Sequence, residues 1–382
     1  MAEAYKGIKA EKKLLVLINP HGGQGKAKSI YKKYGAPIFA AAHCKTTVIT
    51  TTHHYHAAQI AEELDIDMYD AIVCCSGDGI PHEVINGFAK RSDSHRALAE
   101  VSICQFPCGS GNSMAMSLNG TASPSIAALN IVKGMPMPID LMCMTQGNQR
   151  AVSFLSQTYG LVADADLGTE SLRWMGGTRF AIGALMRALS EATYPCELHV
   201  KYAHETKKAV SEHFNRSYQS SSQQNIQEGS QSEYRESGSL FKKSLQYGSI
   251  NDPVPSDWQT LTRNKLGFFY VGKMPWMASD ALVFPASLPN DGTLDLVTWD
   301  STIGRLTAID LLLKIEKGHH VHSNDVQYAK IEAYRLIPKI QDGYLSIDGE
   351  SFPLQPFQVE VIRNAACLLS STGSYANTNV NL

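Results

Sequence analysis

Along the first third of the chain, short unbroken apolar runs alternate with stretches whose apolar residues recur every three or four positions. Lys13 to Ile18, Thr46 to Thr50, Ala71 to Cys75 and Val101 to Phe106 read as strands. Between them Ile30, Tyr34 and Ile38, then Ile60 and Leu64, then Val84, Ile85 and Phe88 fall at helical spacing. Pro37 is expected to kink or end the first helix, and Pro81 sits where a proline at a helix start is favoured. Alternation of this kind predicts a doubly wound α/β layer, in which ligands bind at the carboxyl ends of the strands.

Past Pro138 the pattern changes. Arg150 to Leu161, Cys196 to Tyr202, Leu266 to Gly272, Thr293 to Trp299, Ile331 to Ile337 and Tyr344 to Ile347 predict strands. Helical spacing survives only near Thr178 to Ser190 and Ile303 to Glu316. The expectation is an α/β domain over residues 1–139 and a β-rich, sandwich-like domain over 140–368, with the boundary near Pro136 to Leu141. Residues 204–257 are crowded with Ser, Gln, Glu and Asn; too little apolar surface is available there to offset ordering entropy, and the segment reads as a disordered insertion. Residues 369–382 read as a disordered tail.

Composition narrows the function classes. The chain has 382 residues, enough for a core in each of two domains. A net charge of −2 supplies no basic field, so nucleic acid is not an expected partner. Met1 to Lys13 is charged and lacks the apolar stretch of a signal peptide. No apolar run approaches the roughly 20 residues of a membrane span. The eight cysteines form no C-x-x-C pair, and several lie in strand-like runs, so they read as buried thiols in a reducing compartment.

Candidate chemistry sits in three loops that follow predicted strands: Asn19 to Gly25, Ser76 to Gly79 and Pro107 to Asn112. Strand–glycine–helix junctions present backbone N–H groups to phosphate. The first loop is not a Walker A loop, because Pro20 stands at its first glycine position and Ala27 follows Lys26. It is not a dinucleotide fingerprint either, because Lys28 replaces the third glycine. The second loop holds Asp78 between two glycines, where a substrate can approach the carboxylate closely. That suits a general base taking a hydroxyl proton as phosphate leaves ATP; an aspartate capping the next helix is the competing reading. Gly109, Ser110, Gly111 and Asn112 add a hydroxyl, N–H groups and an amide at another helix start. Two histidine clusters, at 53, 54 and 56 and at 319, 320 and 322, come without a Cys or carboxylate set at ligand spacing and read as loop histidines.

Taken together these residues resemble the diacylglycerol and lipid kinase superfamily and, more narrowly, the sphingosine kinases or sphingoid long-chain base kinases. The match lies in Asn19 and Pro20, Gly22, Gly23, Gly25 and Lys26, then in Ser76-Gly77-Asp78-Gly79 followed by His82, Glu83, Asn86 and Gly87. It continues in Pro107 with Gly109 to Asn112, in Gly160, Ala163, Asp164 and Asp166, and in Asp348-Gly349-Glu350. It spans nearly the whole chain apart from the Ser/Gln-rich segment and the tail. The resemblance implies a two-domain lipid kinase fold, with ATP and Mg²⁺ as cofactors. Asp78 would be the base. Asn19, His21, Gly22, Gly23, Thr51, Ser76, Gly77, Gly79, Glu83, Gly109, Ser110 and Gly111 would line the nucleotide site, with Arg173 and Arg179 on the phosphates and Asp348 and Glu350 closing it from the second domain. His21 stands where some relatives carry Arg, a departure that weakens one phosphate contact.

For the acceptor, the resemblance implies that Asp166 holds the head group. The chemistry agrees: a sphingoid base carries an ammonium that a semi-buried carboxylate can pair. Phe180, Leu311, Leu312 and His320 become candidate tail contacts. The implied activity is phosphorylation of the primary hydroxyl of sphingosine, dihydrosphingosine or phytosphingosine. The implied setting is cytoplasmic, with peripheral membrane contact to reach the lipid; a homodimer is left open, as are the protein ligands of Mg²⁺. The alternatives are a diacylglycerol or ceramide kinase, a soluble-substrate enzyme such as an NAD kinase or phosphofructokinase, and a lipid-binding regulator without turnover.

Overall fold

A computed structural model of the chain describes residues 7–167, 192–224, 238–242 and 245–376. Four strands, β1 (Lys13–Ile18), β2 (Lys45–Thr50), β3 (Ala71–Ser76) and β4 (Ser102–Pro107), pair in parallel in the order β4-β3-β1-β2. Parallel strands inside such a layer must be apolar on both faces, and β1 shows how. Leu15 and Leu17 point into a core with Val84, Ile85 and Phe88 of the Gly79–Lys90 helix. Leu14, Val16 and Ile18 point into the opposite core, with Tyr31, Phe39 and Phe106. β2 lies at the edge and is mostly exposed.

The second half supplies β5 (Met135–Gln146), β6 (Gln149–Ser153), β7 (Ser156–Gly160), β8 (Cys196–His204), β9 (Gln259–Arg263), β10 (Leu266–Gly272), β11 (Trp276–Ala278), β12 (Ala281–Leu282) and β13 (Leu294–Asp300). It closes with β14 (Gln327–Pro338), β15 (Leu345–Ile347), β16 (Glu350–Phe352) and β17 (Phe357–Ser370). Its pairings among themselves are antiparallel. The two halves share one sheet, ordered β16-β15-β7-β10-β13-β14-β17-β4-β3-β1-β2, because the end of β17 meets β4 in parallel at Leu368 and Ile103. β5 lies antiparallel along β17, so the expected boundary at Pro136 to Leu141 falls inside a strand. From Asp140 of β5 a buried charge cluster runs through the second half. Lys273 Nζ meets Asp140 at 2.9 Å and Asp291 at 2.6 Å, and Lys330 Nζ meets Asp291 at 3.2 Å and Asp295 at 3.0 Å. Burial opposes the charge on Asp291, but the two lysines win and hold its carboxyl well below the usual range.

Several expectations change. Pro37 does not end the first helical stretch: the chain makes a wide turn at Tyr31–Gly35, which accommodates the missing proline N–H, and continues helically to Ala41. The strand expected over Arg150 to Leu161 is two strands, broken because the N–H groups of Phe154 and Leu155 donate to Asp348 rather than to a neighbouring strand. Most of the described part of 204–257 is ordered. A helix spans Lys207–Gln224, with Val210 and Phe214 buried one turn apart. Leu240 is buried against the first domain, and its N–H donates to Ser94 Oγ at 2.8 Å. The N–H groups of Gln246 and Tyr247 donate to Glu360 at 2.8 and 2.9 Å. A few well-spaced anchors suffice where average composition argues for disorder. The tail likewise returns: Tyr375 is buried and its hydroxyl donates to the Lys273 carbonyl at 3.1 Å. The helix expected over Thr178 to Ser190 lies outside the described residues.

Candidate active site

The three glycine loops meet because β1, β3 and β4 end at the same edge of the sheet. Glycine sits against glycine there. A Cβ on Gly109 would come within 2.3 Å of Gly77 Cα, and one on Gly77 within 2.6 Å of the Gly111 carbonyl oxygen. Such spacing lets backbone of the second and third loops touch at the wall of a cleft. The first loop is braced from within, with the His21 N–H donating to Asn19 Oδ1 at 3.0 Å.

Asp78 stands at the junction and is held from three sides. Gln105 Nε2 donates to it at 3.0 Å, and the backbone N–H groups of Ser113 and Met114, at the start of the Ser113–Asn119 helix, donate at 3.0 and 3.1 Å. Gln105 is itself fixed by the N–H of Ala115 at 2.8 Å. No side-chain cap joins Asp78 to its own helix, Gly79–Lys90, so the competing reading as that helix's cap does not hold; the carboxylate serves a different helix end. Burial pushes its carboxyl above the usual range, and the donated hydrogen bonds only partly oppose that. The result is an oriented carboxylate with increased proton affinity.

Glu83, one turn along, accepts the N–H of Ala57 at 3.0 Å. His54 lies between Glu83 and Glu350, at 3.8 and 3.7 Å. Asp348 behaves differently from its neighbour Glu350. Its side chain is fully buried and accepts from Ser153 Oγ (2.6 Å), from the N–H groups of Phe154, Leu155 and Ser156 (3.1, 3.0 and 2.9 Å) and from His82 Nδ1 (2.8 Å). Five donors leave it little capacity for a nucleotide; its role is to clamp the second domain onto the Gly79–Lys90 helix. Asn86 completes the clamp, pairing both ways with the backbone of Val152 at 2.8 and 3.0 Å. Burial lowers the His82 pKa, but its hydrogen bond to Asp348 and the charges of Asp348, Glu350 and Glu83 outweigh burial and raise it. Asp348 and Gly349 both take positive φ, 53° and 84°, and this tight turn carries Glu350 back toward Gly79.

A continuous cleft of about 1930 Å³ runs from these loops into the second domain. Asn19, His21, Gly22, Thr51, Ser76, Gly77, Asp78, Gly79, Glu83, Gly109, Ser110, Gly111, Asp348 and Glu350 line one half of it. Gly23 is adjacent in the first loop, and its surroundings lie outside the description. The other half is walled by Val162, Ala165, Phe268, Tyr270, Met277, Val283, Ile309, Leu312 and Ile315. Of the expected tail contacts, Leu312 lines this wall, whereas Leu311 is packed in the core and His320 lies behind the lining. His320 Nε2 is 3.1 Å from the Val283 carbonyl, and burial lowers its pKa to about 4, so it is a neutral packing group at pH 7. Arg173, Arg179 and Phe180 lie outside the described residues. Asp166 falls in the last turn of the Leu161–Leu167 helix, and its side chain is likewise outside the description. Asp164, in the same helix, is buried and accepts from the Tyr194 hydroxyl at 2.7 Å rather than facing water.

Sequence reasoning missed Gln105, which reads as an ordinary strand residue, and gave His82 and Asn86 no role although both lie in the quoted motif. It also missed the aromatic wall of Phe268 and Tyr270. Alternation along the predicted strand Leu266 to Gly272 was the available signal, but it cannot say which face meets a cleft.

Among the described residues, no helix is long and apolar enough to cross a membrane. The family described as "Diacylglycerol kinase catalytic domain" matches residues 13–144. Sphingoid long chain base kinase 5 of Saccharomyces cerevisiae is 37% identical over 99% of this chain, which spans 62% of that relative's length. Sphingoid long chain base kinase 4 of Schizosaccharomyces pombe is 33% identical over 97% of this chain and 78% of its own. In fold, the crystal structure of a putative diacylglycerol kinase from Bacillus anthracis aligns with a TM-score of 0.66 at 18% identity, covering 96% of this chain and 97% of the other.

Proposed function

The chain belongs to the sphingoid long-chain base kinase family within the diacylglycerol kinase catalytic-domain group, and from that membership we propose that it transfers the γ-phosphoryl group of ATP to the primary hydroxyl of a sphingoid base. The observation that carries this reading is Asp78: a half-buried, hydrogen-bonded carboxylate of raised proton affinity where the glycine loops meet the apolar half of one cleft. Asp78 accepts the hydroxyl proton as the alcohol oxygen bonds to the γ-phosphorus. The bond from that phosphorus to the bridging oxygen breaks, and ADP leaves.

The nucleotide occupies the α/β domain (1–139), its phosphates against the N–H groups of the three loops and within reach of Asn19, His21, Thr51, Ser76 and Ser110. Arg173 and Arg179 suit the developing phosphoryl charge. Mg²⁺ arriving with ATP would neutralise phosphate charge, and Glu83 and Glu350, two of the carboxylates that line the cleft beside the glycine loops, would support it. The lipid occupies the β-rich domain (140–368), its tail along the wall of Val162, Phe268 and Leu312. Asp166, four residues beyond Val162, pairs with the ammonium. Access to a bilayer lipid calls for peripheral membrane contact by a cytoplasmic protein.

Radiolabelled ATP offered with sphingosine, dihydrosphingosine, phytosphingosine, diacylglycerol and ceramide tests this reading. Label is expected in the 1-phosphates of the sphingoid bases; label confined to diacylglycerol or ceramide overturns the acceptor. Undiminished sphingoid phosphorylation by Asp166→Asn would remove the ammonium assignment alone.

A further inference from the structure

One hydroxyl in the acceptor half is unexplained by the chemistry above. Thr158 on β7 lines the cleft, its residue is 3% exposed, and its Oγ1 has no hydrogen-bond partner among the described residues. Leaving a buried hydroxyl unpaired is unfavourable, so the position calls for a partner that arrives with a ligand. A turn about χ1 exchanges the methyl and hydroxyl of a threonine, which puts either at the cleft surface.

The neighbours make this a band rather than an isolated group. Side chains alternate along a strand: Gln157 turns away to accept from the Tyr334 hydroxyl at 2.8 Å, while Ser156 and Thr158 share the face that lines the cleft. Thr158 is register-paired with Tyr270 on β10 and with Ser346 on β15, and both also line the cleft. Three hydroxyl-bearing residues therefore form one row across three strands, and the next row, Phe268 opposite Gly160, is apolar. The row is one pleat, about 6.6 Å at a strand rise of ~3.3 Å per residue, from Ser156. Ser156 marks the reacting end, because its N–H donates to Asp348, whose other oxygen binds His82 in the helix that follows Asp78.

We propose that Thr158 is a specificity-determining residue that reads a hydroxyl on the fourth carbon of the acceptor, so that the enzyme favours 4-hydroxylated sphingoid bases. This rests on the sphingoid kinase reading and deepens it. An acceptor whose first hydroxyl lies level with Ser156, at the reacting end, extends four bonds to its fourth carbon, so that a hydroxyl there comes alongside the Tyr270–Thr158–Ser346 row before the chain meets Phe268. A base with a hydroxyl there satisfies Thr158; one without it leaves Thr158 unpaired in the bound state.

Phytosphingosine and dihydrosphingosine differ by that one hydroxyl. The test is kcat/KM for both acceptors with the full chain and with Thr158→Val, which keeps the shape and removes the hydroxyl. The phytosphingosine to dihydrosphingosine ratio is expected to fall by about tenfold, while Thr158→Ser retains the wild-type ratio. A ratio unmoved by Thr158→Val, or a ratio that Thr158→Ser disturbs as strongly, overturns the proposal. Should Thr158→Val not fold, Thr158→Ala carries the same comparison. Failure of the kinase reading looks different: the wild-type chain would then phosphorylate neither base.

Discussion

The two halves of the cleft are built on different principles. In the glycine-loop half, backbone makes the site: Gly77 and Gly109 touch, and one carboxylate is gripped by Gln105 and a helix end. In the apolar half, side chains from elements far apart in sequence make the wall. Thr158, Phe268, Tyr270, Leu312 and Ser346 come together only because the antiparallel strands pair in one register and a helix covers them. Groups that must bind phosphate, common to every phosphoryl donor, need a fixed backbone shape; a wall for a hydrocarbon chain needs only apolar area, which many residue sets can supply. The first kind of site leaves a local motif, and the second leaves almost none.

Breaking the glycine-loop half should produce the largest effects. Asp78→Asn is expected to lower turnover by about 100- to 10,000-fold while nucleotide affinity, measured by calorimetry, is retained. Equal loss of both would reduce Asp78 to a structural group. The raised pKa of Asp78 also sets a sign: activity should fall on the acid side at a pH above the ordinary aspartate value of about 3.9, which a pH profile of kcat/KM reads directly.

Gly109→Ala comes next. Its Cβ would meet backbone, not a side chain that can swing away. Moving the third loop against the second should cost about 100-fold in kcat/KM and lower the melting temperature by the equivalent of about 1–3 kcal/mol. Full activity with an unchanged melt would mean that the loops do not pack as described.

The smallest effect sharpens the contact between the halves. His82 is buried against Asp348, and its pKa is raised in the folded state despite burial. A raised histidine binds its proton more tightly folded than unfolded. The stability it adds is therefore full below the unfolded value, about 6.5, and is lost as pH rises through the higher folded value. Thermal melts of the wild-type chain should show that decline on the alkaline side of pH 6.5, and His82→Asn should be flatter over the same window. A variant with the same slope as wild type would leave the clamp without a titrating member.

How much could be read in advance follows the same division. The parallel strands were legible because β1, β3 and β4 are short apolar runs separated by helical spacing, and the loops because Gly-Asp-Gly after a strand is a dense local signal. The pair β5 and β17 was not legible: its partners lie more than two hundred residues apart, and pairing at that distance leaves no periodic trace. Nor was order within 204–257, where Leu240, Gln246 and Tyr247 dock a mostly polar segment through individual contacts that composition averages away. Asp348 and Glu350 look equivalent in a three-residue motif. Their roles separate only when the φ of 53° at Asp348 turns one carboxylate into five donors and sends the other toward the cleft.

The order of residues settled what depends on near neighbours: which runs become strands, where glycine lets backbone approach backbone, and that an acid stands among those glycines. Folding in three dimensions settled what depends on distant partners: which donors hold Asp78, which carboxylate clamps the domains, and which faces of β7, β10 and β15 line the cleft. The reason is physical. Backbone conformation is governed by sterics over a few residues, whereas burial, charge pairing and cavity shape are properties of groups that meet only once the chain has closed on itself.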